Sequence, residues 1–166
     1  EEKQRELGIT KISEFAEIVN DKPESIVFAA DHEFAVRPDG VPGMEKIYDF
    51  KFKDENIKVM DTGIVYKTLR EGKVNSAMGY RTDGRIKEYN LVNLEDDKSF
   101  FPAYSPAPLV REEALEKHPE VKKVLNEVAQ NLTLKDLTDL NYQVDIKERE
   151  PREVAREWLS SKGIIE

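Results

Sequence analysis

The sequence predicts an α/β fold with a mainly parallel sheet, and three observations carry that expectation. The run "SIVFAA", Ser25 to Ala30, is continuously apolar, which is the pattern of a strand buried on both faces. Two further runs, "IKVMD" (Ile57 to Asp61) and "VNSAMGY" (Val74 to Tyr80), read as strands of the same kind. The stretches between the strands read as helices. That gives successive βαβ units, whose strands pair in parallel.

Each element has a local reason. Glu1 to Leu7 reads as the end of a helix stopped by Gly8. Ser13 is a good N-cap for a helix to Asn20, with Phe15, Ile18 and Val19 as its apolar face. After the first strand a short apolar turn leads into "RPDGVPG" (Arg37 to Gly43), a loop of turn formers, and then a helix around Met44 to Tyr48. The second strand runs into a helix from Thr62 to Leu69, capped by Asp61 or Thr62, with Gly72 beyond its end. After the third strand, Asp83 in "RTDGR" is placed to cap a short helix, and "LVNL" (Leu91 to Leu94) reads as a fourth strand.

The second half has a different character. "FFPAYSPAPLV" (Phe100 to Val110) holds three prolines in eleven residues, so it cannot be helical throughout and is expected to be an extended connector. A domain boundary falls best near Tyr104. Helices follow over Arg111 to Lys117 and from Pro119 to about Asn131, the latter with Val121, Val124, Leu125 and Val128 on one face. Thr133 caps another helix reaching Leu140, and Pro151 opens the last, to Lys162.

Composition removes several classes of function. The chain has 166 residues, 39% of them hydrophobic and 36% charged, with a formal net charge of −8. No Lys/Arg block interleaved with aromatics appears, so neither nucleic acid nor an anionic membrane surface is an expected partner. No apolar run approaches the ~20 residues of a membrane helix. There is no cysteine, which rules out disulfides, thiolate metal sites and cysteine nucleophiles. The chain opens at Glu1 without a methionine or secretory signal, and is expected to be a segment of a longer protein.

Catalytic motifs are also missing. "ADHEFAV" pairs His32 with Glu33, but Val36 stands where a zinc protease needs its second histidine, and His118 is far along the chain. No metal or other cofactor is expected. "GVPG" lacks the spacing of a dinucleotide loop, and no G-x-S-x-G turn exists. Two other features bear on ligands. Strand ends in parallel sheets face the ligand, which singles out the loops after Ala30, Met60 and Tyr80. Arg37 could grip a carboxylate through two parallel hydrogen bonds, although from composition alone a salt bridge to Asp39 or another local acid is the default reading. Tyr80 and Tyr104 could offer aromatic faces to a quaternary ammonium, which attracts π-systems and has no N–H to donate. On the residues alone, the favoured reading is that both tyrosines merely pack with their hydroxyls at the surface.

Longer segments change that balance. "HEFAVRPDGVPGMEKIYDFKF", "AMGYRTDGRIKEYNLVNLEDDKSFFPAYSPAPLV" and "LTDLNYQVDIKEREPREVAREWL" resemble the ProX-like substrate-binding proteins of quaternary-amine ABC importers, the osmoprotectant group that binds glycine betaine, carnitine and choline. The likeness runs from about Ile12 to Ile164. It implies a periplasmic-binding-protein-like fold (type II) of two α/β lobes. Residues 1–103 would be the second lobe, 104–110 a crossing or hinge segment, and 111–166 the C-terminal helical part of the first lobe.

The resemblance matches Arg37 to the arginine that holds the ligand carboxylate, and Tyr80 and Tyr104 to two walls of an ammonium cage. It implies capture of a small-molecule quaternary amine outside the cytoplasm and delivery to an ABC permease subunit, with no bond chemistry. It also implies that the residues completing the site lie outside this chain. The C-terminal helices would then show apolar surface and invite self-association or a domain swap. An enzyme on the same fold, or a regulatory domain without ligand, are the alternatives.

Overall fold

The computed structural model describes residues 8–166, so the helix end expected over Glu1 to Leu7 lies outside the described residues. The chain divides into two compact units. One holds the described residues up to Arg81 together with Arg85–Pro102, and the other holds Thr82–Gly84 and Ala103–Glu166. Among the described residues no helix is long and apolar enough to cross a membrane.

The first unit is built around strand β1, Phe28–Ala30. It pairs in parallel with β2, Ile57–Val59, on one side and with β3, Ser76–Ala77, on the other, giving the order β2-β1-β3. All three residues of β1 are buried. Phe28 and Ala30 face a core made by α1 (Ile12–Asp21), α2 (His32–Val36) and α3 (Val41–Tyr48), together with Phe50 and Phe52. Ala29 faces the opposite way, into a smaller core with Val65 of α4 (Thr62–Arg70) and Val74. The apolar run at Ser25 to Ala30 therefore has its expected cause: alternate side chains enter two different cores.

Aromatic rings dominate the larger core. Phe52 stacks on Phe28 with centroids 4.9 Å apart, and Phe50 meets Phe52 edge to face at 5.0 Å. Each fully buried ring contributes roughly 2–3 kcal/mol. Glu45 of α3 is buried with them, where it accepts the Phe52 amide at 3.0 Å and the Lys51 ammonium at 2.7 Å. Asp49 ends α3 in the left-handed conformation and sends the chain back so that Phe50 and Phe52 both point inward.

Three expectations need correction. Helix α1 begins at Ile12, not after Ser13. The Glu14 carboxylate accepts the amides of Thr10 and Lys11 at 2.6 and 3.0 Å, so the third helical residue caps the helix and Ser13 lies inside it. The segment after β1 is a helix, α2, and not a turn, because Asp31 caps it by accepting the Phe34 amide at 2.7 Å. "LVNL" forms no strand. The sheet of the described residues has three strands, and this region contributes only a bridge between Lys11 and Glu95. A short helix, α5 (Gly84–Glu88), precedes it.

The acidic pair that follows that bridge has a structural use. The Asp96 carboxylate accepts the Tyr48 hydroxyl at 2.5 Å and the amides of Phe100 and Phe101 at 3.0 and 2.7 Å. Asp97 accepts the Ser13 amide at 3.2 Å. The Phe101 ring stacks on Phe34 and meets Phe100 edge to face. Asp96 thus fixes the last turn of the unit before the proline-rich segment.

In the second unit, residues 103–111 form neither helix nor strand. Helices α6 (Glu112–Lys117), α7 (Glu120–Asn131), α8 (Leu134–Asn141) and α9 (Pro151–Ser161) follow, with a π-helical turn at Tyr142–Ile146. Thr133 caps α8 as expected, exchanging hydrogen bonds with Asp136. Asp136 also accepts the Trp158 indole N–H at 3.1 Å and pairs with Lys162, which ties α9 to α8. Among the described residues of this unit, Val154 is the only buried hydrophobic side chain. Val124 of α7 and Leu134 of α8 are exposed.

The Asp96 contacts set a pH dependence. Burial alone pushes this carboxyl's pKa up, but the Tyr48 hydroxyl and the Phe101 and Phe100 amides outweigh it and hold the pKa below the usual carboxylate range. The folded pKa is depressed, so the contribution is present above the unfolded value and fades as pH falls through the acid range. Asp96→Ala is expected to cost about 2 kcal/mol at pH 7, since it strands two amides and a buried hydroxyl. Urea unfolding should show this loss at neutral pH and a smaller gap between the proteins below about pH 3. A gap that does not change with pH would contradict the assignment.

Candidate functional site

The carboxyl ends of β1, β2 and β3 lie along one edge of the parallel sheet. That edge is where an open α/β sheet presents ligands. Asp31 follows β1 directly. One of its oxygens caps α2 and the other accepts the Thr62 hydroxyl at 3.3 Å, so the first two strand-end loops are tied together. A shallow cleft of about 500 Å³ opens beside them, lined by Asp31, His32, Val59, Met60, Asp61 and Thr62 among others.

Arg37 closes α2 and stands at the start of the turn "RPDG". Its guanidinium makes ion pairs with Glu33, at 3.0 Å from Nη1, and Asp39, at 2.6 Å from Nε, and its side chain is 35% exposed. The local acids foreseen in the sequence are therefore engaged. Asp39 lies two residues on, while Glu33 reaches Arg37 because α2 places them one turn apart. Gly40 holds this turn tight. Its amide donates to the Arg37 carbonyl at 2.8 Å, and a Cβ there would lie 2.1 Å from the Phe34 carbonyl oxygen. Only glycine permits so close an approach of backbone to backbone.

Tyr80 follows β3 by three residues and is 57% exposed. Its amide donates to the hydroxyl of Tyr66 at 2.8 Å. Tyr66 is buried on α4, and the guanidinium of Arg85 lies 4.4 Å from its ring centroid. In the sequence Tyr66 is marked only as one residue of a helix. Its hydroxyl contact with the loop after β3 has no local signature. Tyr104 belongs to the other unit, in the proline-rich segment, and is 68% exposed. His32 is exposed, and His118 lies 3.3 Å from Glu120 on the surface of the second unit.

A parallel sheet covered by helices on both faces, with aromatic and cationic side chains at its strand ends, is a periplasmic-binding-protein-like arrangement. Comparison with known proteins identifies which kind. Residues 1–161 match the family model for the substrate binding domain of ABC-type glycine betaine transport systems. The chain belongs to that family.

A glycine-betaine-binding protein of Pseudomonas aeruginosa is 36% identical over 171 residues, which cover all of this chain and 55% of that protein. The carnitine transport binding protein OpuCC of Listeria monocytogenes is 34% identical, over 98% of this chain and 51% of its own length. A crystal structure titled as a glycine betaine/carnitine/choline ABC transporter superposes with a TM-score of 0.79 at 33% identity, covering 97% of this chain and 57% of that one. The chain thus spans about half the length of the curated relatives it matches.

The Gly40 turn gives a direct test of how Arg37 is presented. Gly40→Ala is expected to destabilise the first unit by about 2 kcal/mol, because the clash is with backbone and cannot be relieved by a rotamer change. Thermal unfolding of the two proteins measures this. A midpoint equal to that of the parent chain would show that the turn relaxes freely.

Proposed function

We propose that this chain is part of the substrate-binding component of an ABC importer for a quaternary-ammonium compatible solute such as glycine betaine, carnitine or choline. It captures the solute outside the cytoplasm and delivers it to a membrane permease, and it performs no bond chemistry. The observation that carries this reading is the family match over nearly the whole chain, joined to an exposed tyrosine at a strand end of the parallel sheet. In this reading residues 1–103 are the second lobe, 104–110 the crossing segment and 111–166 part of the first lobe.

Each proposed site residue has a distinct task. Tyr80 and Tyr104 offer π-faces to the trimethylammonium group, each worth about 1–2 kcal/mol once the cation is desolvated. Their high exposure in this chain supports that use, because neither ring is consumed by packing. Arg37 binds the carboxylate of a betaine or carnitine. Glu33 already pairs with Nη1, so the incoming carboxylate takes over a bond that a solvent-exposed side chain releases at small cost. The sparse core of the second unit supports a further proposal: its uncovered apolar side chains are covered by further chain of the kind the longer relatives possess, or by a second copy.

Calorimetry tests the reading in two stages. The 166-residue chain alone is expected to bind glycine betaine poorly or not at all, and micromolar affinity would overturn the proposal that the site is shared with further residues. In a protein carrying the rest of the relatives' length, Tyr80→Ala should weaken choline and glycine betaine alike. Arg37→Ala should weaken glycine betaine by at least about tenfold more than choline, which has no carboxylate. Equal losses for the two ligands would remove Arg37 from the carboxylate role.

A further inference from the structure

We infer that Tyr66 is a positioning residue for Tyr80, acting through the backbone of the loop that follows β3. The inference rests on the proposed role of Tyr80, and it begins where the sheet register runs out. Strand β3 ends at Ala77, but the next amide, that of Met78, still donates to the Ala29 carbonyl at 2.9 Å. Two residues later the Tyr80 amide donates instead to the Tyr66 hydroxyl, at 2.8 Å. A side chain of α4 has taken over the role of the neighbouring strand.

Burial and two contacts hold that side chain in place. Tyr66 is only 3% exposed, so its ring has little freedom. Arg85 lies across the ring, and its Nη1 reaches toward the Gly63 carbonyl at the start of the same helix, 3.5 Å away. Gly79 passes over the other part of the ring. A Cβ at position 79 would lie 3.0 Å from the Tyr66 hydroxyl and 3.3 Å from the ring, tighter than ordinary contact. The glycine, the buried tyrosine and the arginine therefore make one unit that sets where residue 80 leaves the sheet.

The consequence is specific to an exposed aromatic. A buried ring is oriented by its neighbours, but more than half of Tyr80 is open to solvent. Its direction follows from its own backbone, and the backbone is held at its amide by Tyr66. An aromatic wall loses less on binding when its orientation is already set. A phenylalanine at position 66 would fill the same core volume while removing the acceptor that holds the Tyr80 amide.

Tyr66→Phe is the test, read in two ways. In the 166-residue chain, amide hydrogen exchange followed by NMR should be faster at Tyr80 by about tenfold or more, with the amides of β1 unchanged. In a protein carrying the rest of the relatives' length, Tyr66→Phe should weaken choline binding by about fivefold when Tyr80 is present. In the Tyr80→Ala background the same substitution should change it less than about twofold. Unchanged exchange at Tyr80, or an equal loss in both backgrounds, overturns the positioning role. If Tyr80→Ala itself leaves choline affinity unchanged while Tyr80 exchange still responds to Tyr66→Phe, the binding role of Tyr80 fails and the positioning of a ligand wall fails with it.

Discussion

Burial of β1 on both faces is the constraint on which the first unit depends. Phe28 and Ala30 enter one core and Ala29 the other, so the strand can tolerate neither a polar residue nor a one-residue slip in register. Both neighbouring strands take their register from it, Ile57 opposite Phe28 on one side and Ser76 opposite Phe28 on the other. The strand ends therefore come out level, and Asp31, Met60 and Tyr80 emerge along one edge. The site edge is a product of core packing, before any ligand is considered.

Around that frame the polar groups work mainly as tethers. Asp31 joins two strand-end loops, Asp96 gathers the turn before the proline-rich segment, and Glu45 satisfies the Phe52 amide inside the aromatic core. Each carboxylate accepts hydrogen bonds from groups far apart in sequence, which water would otherwise have to satisfy. The second unit lacks an equivalent centre. Its helices are capped and cross-linked by the Thr133, Asp136, Trp158 and Lys162 group, yet Val154 alone among its hydrophobic side chains is buried. Those helices rest on caps and side-chain pairs more than on a buried core of their own.

What could be seen in the sequence follows the same division. The doubly buried strand, the Thr133 cap and the helix opened by Pro151 were legible because their signals are local: apolar continuity, a capping pair, a proline at the first turn. "LVNL" misled because an apolar run with a β-branched residue looks like a strand, although nothing in it finds a pairing partner in the sheet. Helix α2 was missed because five residues are too few to show a period, and only the Asp31 cap marks it. Arg37 and the acids near it were visible together. Tyr66 was not, since its hydroxyl acts on a residue fourteen positions away, and no spacing rule connects α4 to the end of β3.

In the proposed function the Tyr80 ring faces the ammonium group of the bound solute. Intermolecular proton–proton NOEs measure this directly, in a protein carrying the rest of the relatives' length and saturated with choline. Cross-peaks between the choline N-methyl protons and the Tyr80 ring protons are expected. Tight choline binding with N-methyl cross-peaks to other aromatic rings and none to Tyr80 would contradict it.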